Sequence, residues 1–131
     1  MNLSFKSIWA LALILLVSLS ACKKDDKVNA LNCNLETAAT EFSEDSIFVT
    51  YKLESTGDAK VTSFFYYDET GKVEVQNPTL PTEIQVTLTF QKTMQAGAKG
   101  STTNGSIKAS YKATTANSSY EGSDFCSQSN S

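Results

Sequence analysis

The chain reads as all-β, with one small antiparallel sandwich as its folded part. From about residue 33 onward, apolar and polar residues alternate with a period of two in several short segments. Turn-forming residues separate those segments at short, regular intervals. The same region shows neither a heptad pattern nor an internal repeat.

The clearest strand runs from Ile47 to Leu53. Ile47, Val49, Tyr51 and Leu53 share one face, while Thr50 and Lys52 point the other way. The next covers Val61 to Tyr67, with Val61, Phe65 and Tyr67 on one side and Phe64 and Tyr66 on the other. Apolar residues on both faces predict a central strand, or one bordering a contact surface. Asp68-Glu69-Thr70-Gly71 predicts a turn, because Asp suits its first position and Gly tolerates positive φ at its exit. Lys72 to Val75 returns as the hairpin partner.

Asn77-Pro78-Thr79-Leu80-Pro81 interrupts pairing, since neither proline can donate to a ladder. Ile84, Val86, Leu88 and Phe90 then alternate with Gln85, Thr87, Thr89 and Gln91, a strand with one wet face. Ala96 to Gly105, rich in Gly, Ser, Thr and Asn, reads as a loop. Ile107, Ala109, Tyr111 and Ala113 alternate with Lys108, Ser110 and Lys112 as another half-wet strand. A last strand covers about Tyr120 to Cys126, with a bulge expected at Gly122. An early one is placed between Asn34 and Phe42. These segments, about seven in all, resemble the immunoglobulin and fibronectin type III sandwiches in architecture only, because the core Trp and the inter-sheet Cys spacing of those families are missing. A small closed barrel is the other arrangement such strands allow.

The amino-acid inventory closes off much chemistry. The chain has 131 residues, no His, no Arg, and one Trp, at position 9. His is the usual general base near neutral pH and the commonest metal ligand. Arg is the preferred clamp for phosphate and carboxylate. The net charge is −3 and the lysines are scattered apart from Lys23-Lys24, so no basic patch supports nucleic-acid binding. No cofactor and no metal are expected.

Residues 1–22 read MNLSFKSIWALALILLVSLSAC. Lys6 gives a positive start, and Ile8 to Val17 is an apolar run shorter than the roughly 20 residues that span a bilayer. Leu19-Ser20-Ala21-Cys22 resembles the lipobox of bacterial lipoproteins: a branched apolar residue, two small ones, then Cys. The resemblance implies that the leader (1–21) is cut after Ala21 and that Cys22 receives the lipid. Two or three acyl chains, at about 0.8 kcal/mol per buried methylene, would then hold the protein on a membrane. Cys22-Lys23-Lys24-Asp25-Asp26-Lys27 further resembles the surface-export signal of Bacteroidota lipoproteins, implying the outer membrane and its outward leaflet, with a periplasm-facing anchor as the alternative. The domain boundaries expected are a tether over 22–32, a sandwich over 33–127 and a polar tail over 128–131.

Cys33 and Cys126 remain. In an exported chain they predict a disulfide between the ends of the domain, closing a loop of about 94 residues and contributing at most about 4.6 kcal/mol by loop entropy. It requires the first and last strands to lie side by side.

Carboxylates are the available catalytic groups. Glu41, Glu44 and Asp45 cluster before the first clear strand, and Asp68-Glu69 sit on a turn. A glycosidase needs two opposed carboxylates in a cleft, and this spacing gives solvated loop acids instead. Asp68, Glu69 and Thr70 make a poor start to a Ca²⁺ site. No G-x-S-x-G elbow is present. The expectation is therefore a non-enzymatic lipoprotein that binds a protein or a glycan, or serves as an accessory subunit of an outer-membrane complex. Its binding surface is expected on the wet sheet faces and the loops at 54–60, 77–82 and 94–105. Within the aromatic run 64–67, Phe64 and Tyr66 are the possible contact surface.

Overall fold

A computed structural model describes residues 29–129. Among them ten strands form: β1 (Leu31–Glu36), β2 (Thr40–Glu41), β3 (Ser46–Gly57), β4 (Lys60–Asp68), β5 (Gly71–Gln76), β6 (Thr82–Thr89), β7 (Thr93–Met94), β8 (Ala96–Thr102), β9 (Gly105–Thr114) and β10 (Ser119–Gln128). They make two four-stranded sheets, β1-β8-β4-β5 and β10-β9-β3-β6, with β2 and β7 as a small separate pair. All pairings are antiparallel. The fold is an all-β sandwich, as the alternation predicts, with ten strands rather than about seven.

The inward phase of β3 (Ile47, Val49, Tyr51, Leu53) meets the inward phase of β9 (Ile107, Ala109, Tyr111, Ala113), and all eight are buried. β3 pairs on one side with β6 and on the other with β9, so it lies at the centre of its sheet. The pairings β3–β6 and β4–β8 match the central strands of an immunoglobulin sandwich. The last strands depart from it: β9 joins β3 in the opposite sheet instead of lying beside β8.

The largest correction is the segment 96–105, expected as a loop. Most of it is β8, the strand between β1 and β4. Its small residues are a packing requirement. A Cβ on Gly97 would come 2.4 Å from the Leu35 carbonyl oxygen and 2.2 Å from the Phe65 ring; one on Gly100 would come 2.2 Å from the Lys60 carbonyl oxygen. Ala96 and Ala98 fill the core side. Low hydropathy here reflects close approach, which composition alone does not distinguish from a turn.

Smaller corrections follow the same logic. β1 begins at Leu31, paired with Thr102, so the folded part starts inside the expected tether; β10 runs to Gln128. Residues 54–60 are mostly strand, joined by a two-residue turn at Asp58-Ala59. Gly122 is not a bulge: β10 keeps continuous register with β9, and a Cβ there would lie 2.3 Å from the Tyr111 ring. Phe90, expected inward, falls just past β6, where its N–H donates to the Asp45 carbonyl and the ring is exposed.

The sides of the sandwich are closed by specific contacts. Cys33 on β1 and Cys126 on β10 form a disulfide pair with Cα atoms 6.0 Å apart, inside the usual range. Beside it, Asp124 accepts the Glu36 N–H at 3.0 Å, occupying a donor on edge strand β1. On the far side, Glu69 in the β4–β5 turn accepts both the N–H and the hydroxyl of Thr89 at the end of β6. At the end where β1 starts, Gln128 Nε2 donates to the Asn29 carbonyl at 3.0 Å.

Candidate functional site

In a half-wet strand the outward residues are free of packing duties, so their identities carry information about ligands. On the sheet β10-β9-β3-β6 these outward positions line a groove of about 760 Å³. β3 contributes Phe48, Thr50, Lys52 and Glu54; β9 contributes Lys108, Ser110, Lys112 and Thr114; β10 contributes Glu121 and Ser123.

Register arranges the charges. Lys112 stands opposite Glu121, Lys52 opposite Glu83, and Lys108 opposite Glu54. Directly opposed residues on one face sit about 5 Å apart at Cβ, close enough for opposite charges to stabilise each other. The Lys112–Glu121 pair closes to 3.5 Å, with both side chains about two-thirds exposed. Such a pair contributes little to stability; its effect is to leave the face without net charge. Hydroxyls and one amide fill the remaining outward positions: Thr50 opposes Gln85, and Ser110 opposes Ser123.

Two phenylalanines break this polar pattern. Phe48 is 52% exposed and Phe125 is 65% exposed, Phe125 opposite Lys108 on β10. From Phe48 to Glu54, which flanks Lys108, the face runs about 20 Å at about 3.4 Å per residue. Sequence reasoning missed both. For Phe48 the signal was available: within Ile47-Phe48-Val49 an apolar residue holds the wet phase of an otherwise alternating strand.

The expected contact pair at 64–67 is corrected. Phe64 is 1% exposed, in the core, and Tyr66 packs against the core with its ring 5.4 Å from that of Tyr51. A register shift between Val61 and Ser63 inverts the phase of β4, so Val61, Phe64 and Tyr66 all turn inward. Phe65 and Tyr67 therefore take the outer face of the other sheet. There the Phe65 ring covers Gly97 and lies under the Lys72 ammonium, 4.2 Å from its centroid. This arrangement seals the sheet at a glycine.

The turn acids act as clamps. Asp58 accepts the Thr102 hydroxyl at 2.8 Å, the N–H groups of Thr103 and Asn104 at 3.0 and 2.8 Å, and the Thr103 hydroxyl. These bonds, the Thr103 hydroxyl first, hold its carboxyl far below the usual range. The Thr89 hydroxyl and N–H similarly lower Glu69, and the Thr70 hydroxyl and N–H lower Asp68. Glu44 accepts the Tyr120 hydroxyl at 2.9 Å. Asp58 and Glu69 thus tie their turns to another part of the chain, Asp68 closes its own turn, and Glu44 holds Tyr120 on β10. Among the described residues, no three of His, Cys, Asp and Glu converge on a point where a metal could sit.

Of the other expected site residues, Cys33 and Cys126 meet, whereas Ala21, Cys22, Lys23, Lys24, Asp25 and Asp26 lie outside the described residues. In comparison with known proteins, no family model, no curated protein and no solved structure matches the chain.

Proposed function

We propose that this chain is a lipid-anchored protein of the bacterial cell envelope whose sandwich acts by non-enzymatic binding. The anchoring half rests on one observation: Leu19-Ser20-Ala21-Cys22 directly follows a short apolar run and directly precedes a charged tether. Cleavage before Cys22 and lipidation of its sulfur leave nine residues (22–30) ahead of β1, a reach of at most about 30 Å. The Cys33–Cys126 pair supports an oxidising compartment, where disulfides persist. Lys23, Lys24, Asp25 and Asp26 support export to the outer face of the outer membrane.

The binding half rests on the outward face of the β10-β9-β3-β6 sheet. Its groove carries polar groups turned away from the core and the exposed ring of Phe48, and the exposed ring of Phe125 stands beside it, opposite Lys108. A tether entering beside Asn29 would bring the β1 end of the sandwich near the bilayer and leave the groove, running along the strands, open to solution.

Mass spectrometry of the mature N-terminus tests the anchor. A diacylglycerol mass on Cys22 is expected; a bare thiol or a retained leader overturns it. Replacing Lys24, Asp25 and Asp26 with Ala tests the surface location, and unchanged protease sensitivity on whole cells would remove that part. Cross-linking from whole cells through residues on the groove face tests the binding role.

A further inference from the structure

We propose that the β10-β9-β3-β6 face binds a neutral, hydroxyl-rich glycan chain, which lies diagonally between Phe48 and Phe125. This rests on the reading of the domain as a binding module and names the class of its ligand.

Charge is the first argument. Each lysine of the groove stands opposite a carboxylate, so a polyanion would meet a glutamate beside every lysine and a polycation the reverse. A ligand without net charge escapes both penalties. Hydrogen bonding is the second. A sugar hydroxyl both donates and accepts, and this face offers lysine donors, glutamate acceptors and serine and threonine hydroxyls, which do both, within one ladder spacing of each other. A protein partner fits less well, because lysine and glutamate are depleted from the centres of protein interfaces.

The placement of the rings points the same way. Phe48 lines one end of the groove, and Phe125, just outside its lining, stands opposite Lys108 about 20 Å further along the strands. Each ring is more than half exposed, and the C–H side of a pyranose ring can rest on such an aromatic surface. The span between them accommodates a chain of several sugar rings, not a single monosaccharide.

The test uses the full chain purified from membranes in detergent, applied to an array of neutral and anionic glycans. Retention on at least one neutral glycan is expected, unchanged between low and high salt because no ion pair forms. Phe48→Ala and Phe125→Ala should each weaken retention roughly tenfold, the loss of one stacked ring. Both sites are exposed, and thermal melts of the variants confirm that the fold is kept. No neutral glycan retained, binding confined to anionic glycans, or retention lost on adding salt would each overturn the proposal. Whole-cell cross-links to a protein on this face, with a blank array, would overturn the glycan while leaving the binding role standing. Groove substitutions without effect on any cross-link would remove the binding role itself.

Discussion

Tyr51 shows how a residue can be required for its ring while its polar atom goes unused. The side chain is fully buried on β3, its ring 6.3 Å from that of Tyr111 and closer still to Tyr66. Its hydroxyl makes no hydrogen bond of ordinary geometry among the described residues, with backbone groups of Gln95 and Tyr67 close to it. Burial, which penalises the phenolate, raises its ionisation well above the usual tyrosine range, so the group stays neutral. Removing a buried, unpaired hydroxyl while keeping the ring should be neutral or stabilising, by up to about 1 kcal/mol. Chemical denaturation of Tyr51→Phe checks this, and a clear loss of stability would reveal a partner. Tyr111 contrasts with it, its hydroxyl lying 2.5 Å from Thr40 Oγ1. Within the aromatic run, Phe64→Ala should cost about 3–5 kcal/mol, since it empties a site at the centre of the core. Phe65→Ala should cost about 1 kcal/mol, the loss of a cation contact and of cover over Gly97. The two denaturation curves distinguish the core face from the outer face; equal losses would contradict the phase inversion in β4.

At the scale of elements, strand pairing depends on small residues and on turn acids. Gly122 leaves the space the Tyr111 ring occupies, so Gly122→Ala must displace a buried ring and is expected to destabilise by about 1–3 kcal/mol. Little change in the melting temperature would mean that the ring has another place to go. Asp58 joins the β3–β4 turn to the β8–β9 turn, and Gly57, at φ +63°, lets the chain pass within contact of Asn104. Hydrogen bonds hold the folded Asp58 carboxyl below its unfolded value. Its ionic contribution is therefore complete above about pH 4 and lost as pH falls toward the lower folded value. Glu69 and Asp68 act in the same direction. Melting temperature should decline with acidification below about pH 4, and Asp58→Asn should lower it at neutral pH and flatten that decline. An acid limb as steep as that of the native chain would assign the acid sensitivity elsewhere.

For the whole molecule, the long-range links matter because the sandwich has two open sides. The Cys33–Cys126 bridge spans 93 residues of sequence and joins the edge strand of one sheet to the edge strand of the other. Changing both cysteines to serine should cost about 2–5 kcal/mol, read by denaturation with and without reductant. A native chain indifferent to reductant would show that the two thiols are not bonded. The opposite side relies on Glu69 and Thr89 alone among these polar links, so it is expected to open first in hydrogen exchange.

Much of this architecture is legible in the sequence, because alternation with period two is a local property. The inward phases of β3 and β9 could be read directly, as could the turn at 68–71 and the break at 77–81. So could the pairing of the two domain cysteines, which the expected export and their positions at the domain ends imply. The resemblance of Leu19-Ser20-Ala21-Cys22 to a lipobox, on which the proposed anchor rests, is local and needs no fold to be seen. Three matters were decided only in three dimensions. The strand at 96–102 was hidden because its glycines answer to Leu35, Lys60 and Phe65, residues far away in sequence. The phase of the aromatic run was reversed by one extra residue near Thr62, invisible without the register against β8. The groove depended on which strands lie side by side, since Lys52 and Glu83, or Lys108 and Glu54, become neighbours only through cross-strand pairing. Local pattern sets which face of a strand is buried; neighbours distant along the chain set which strands meet and what their wet faces present together.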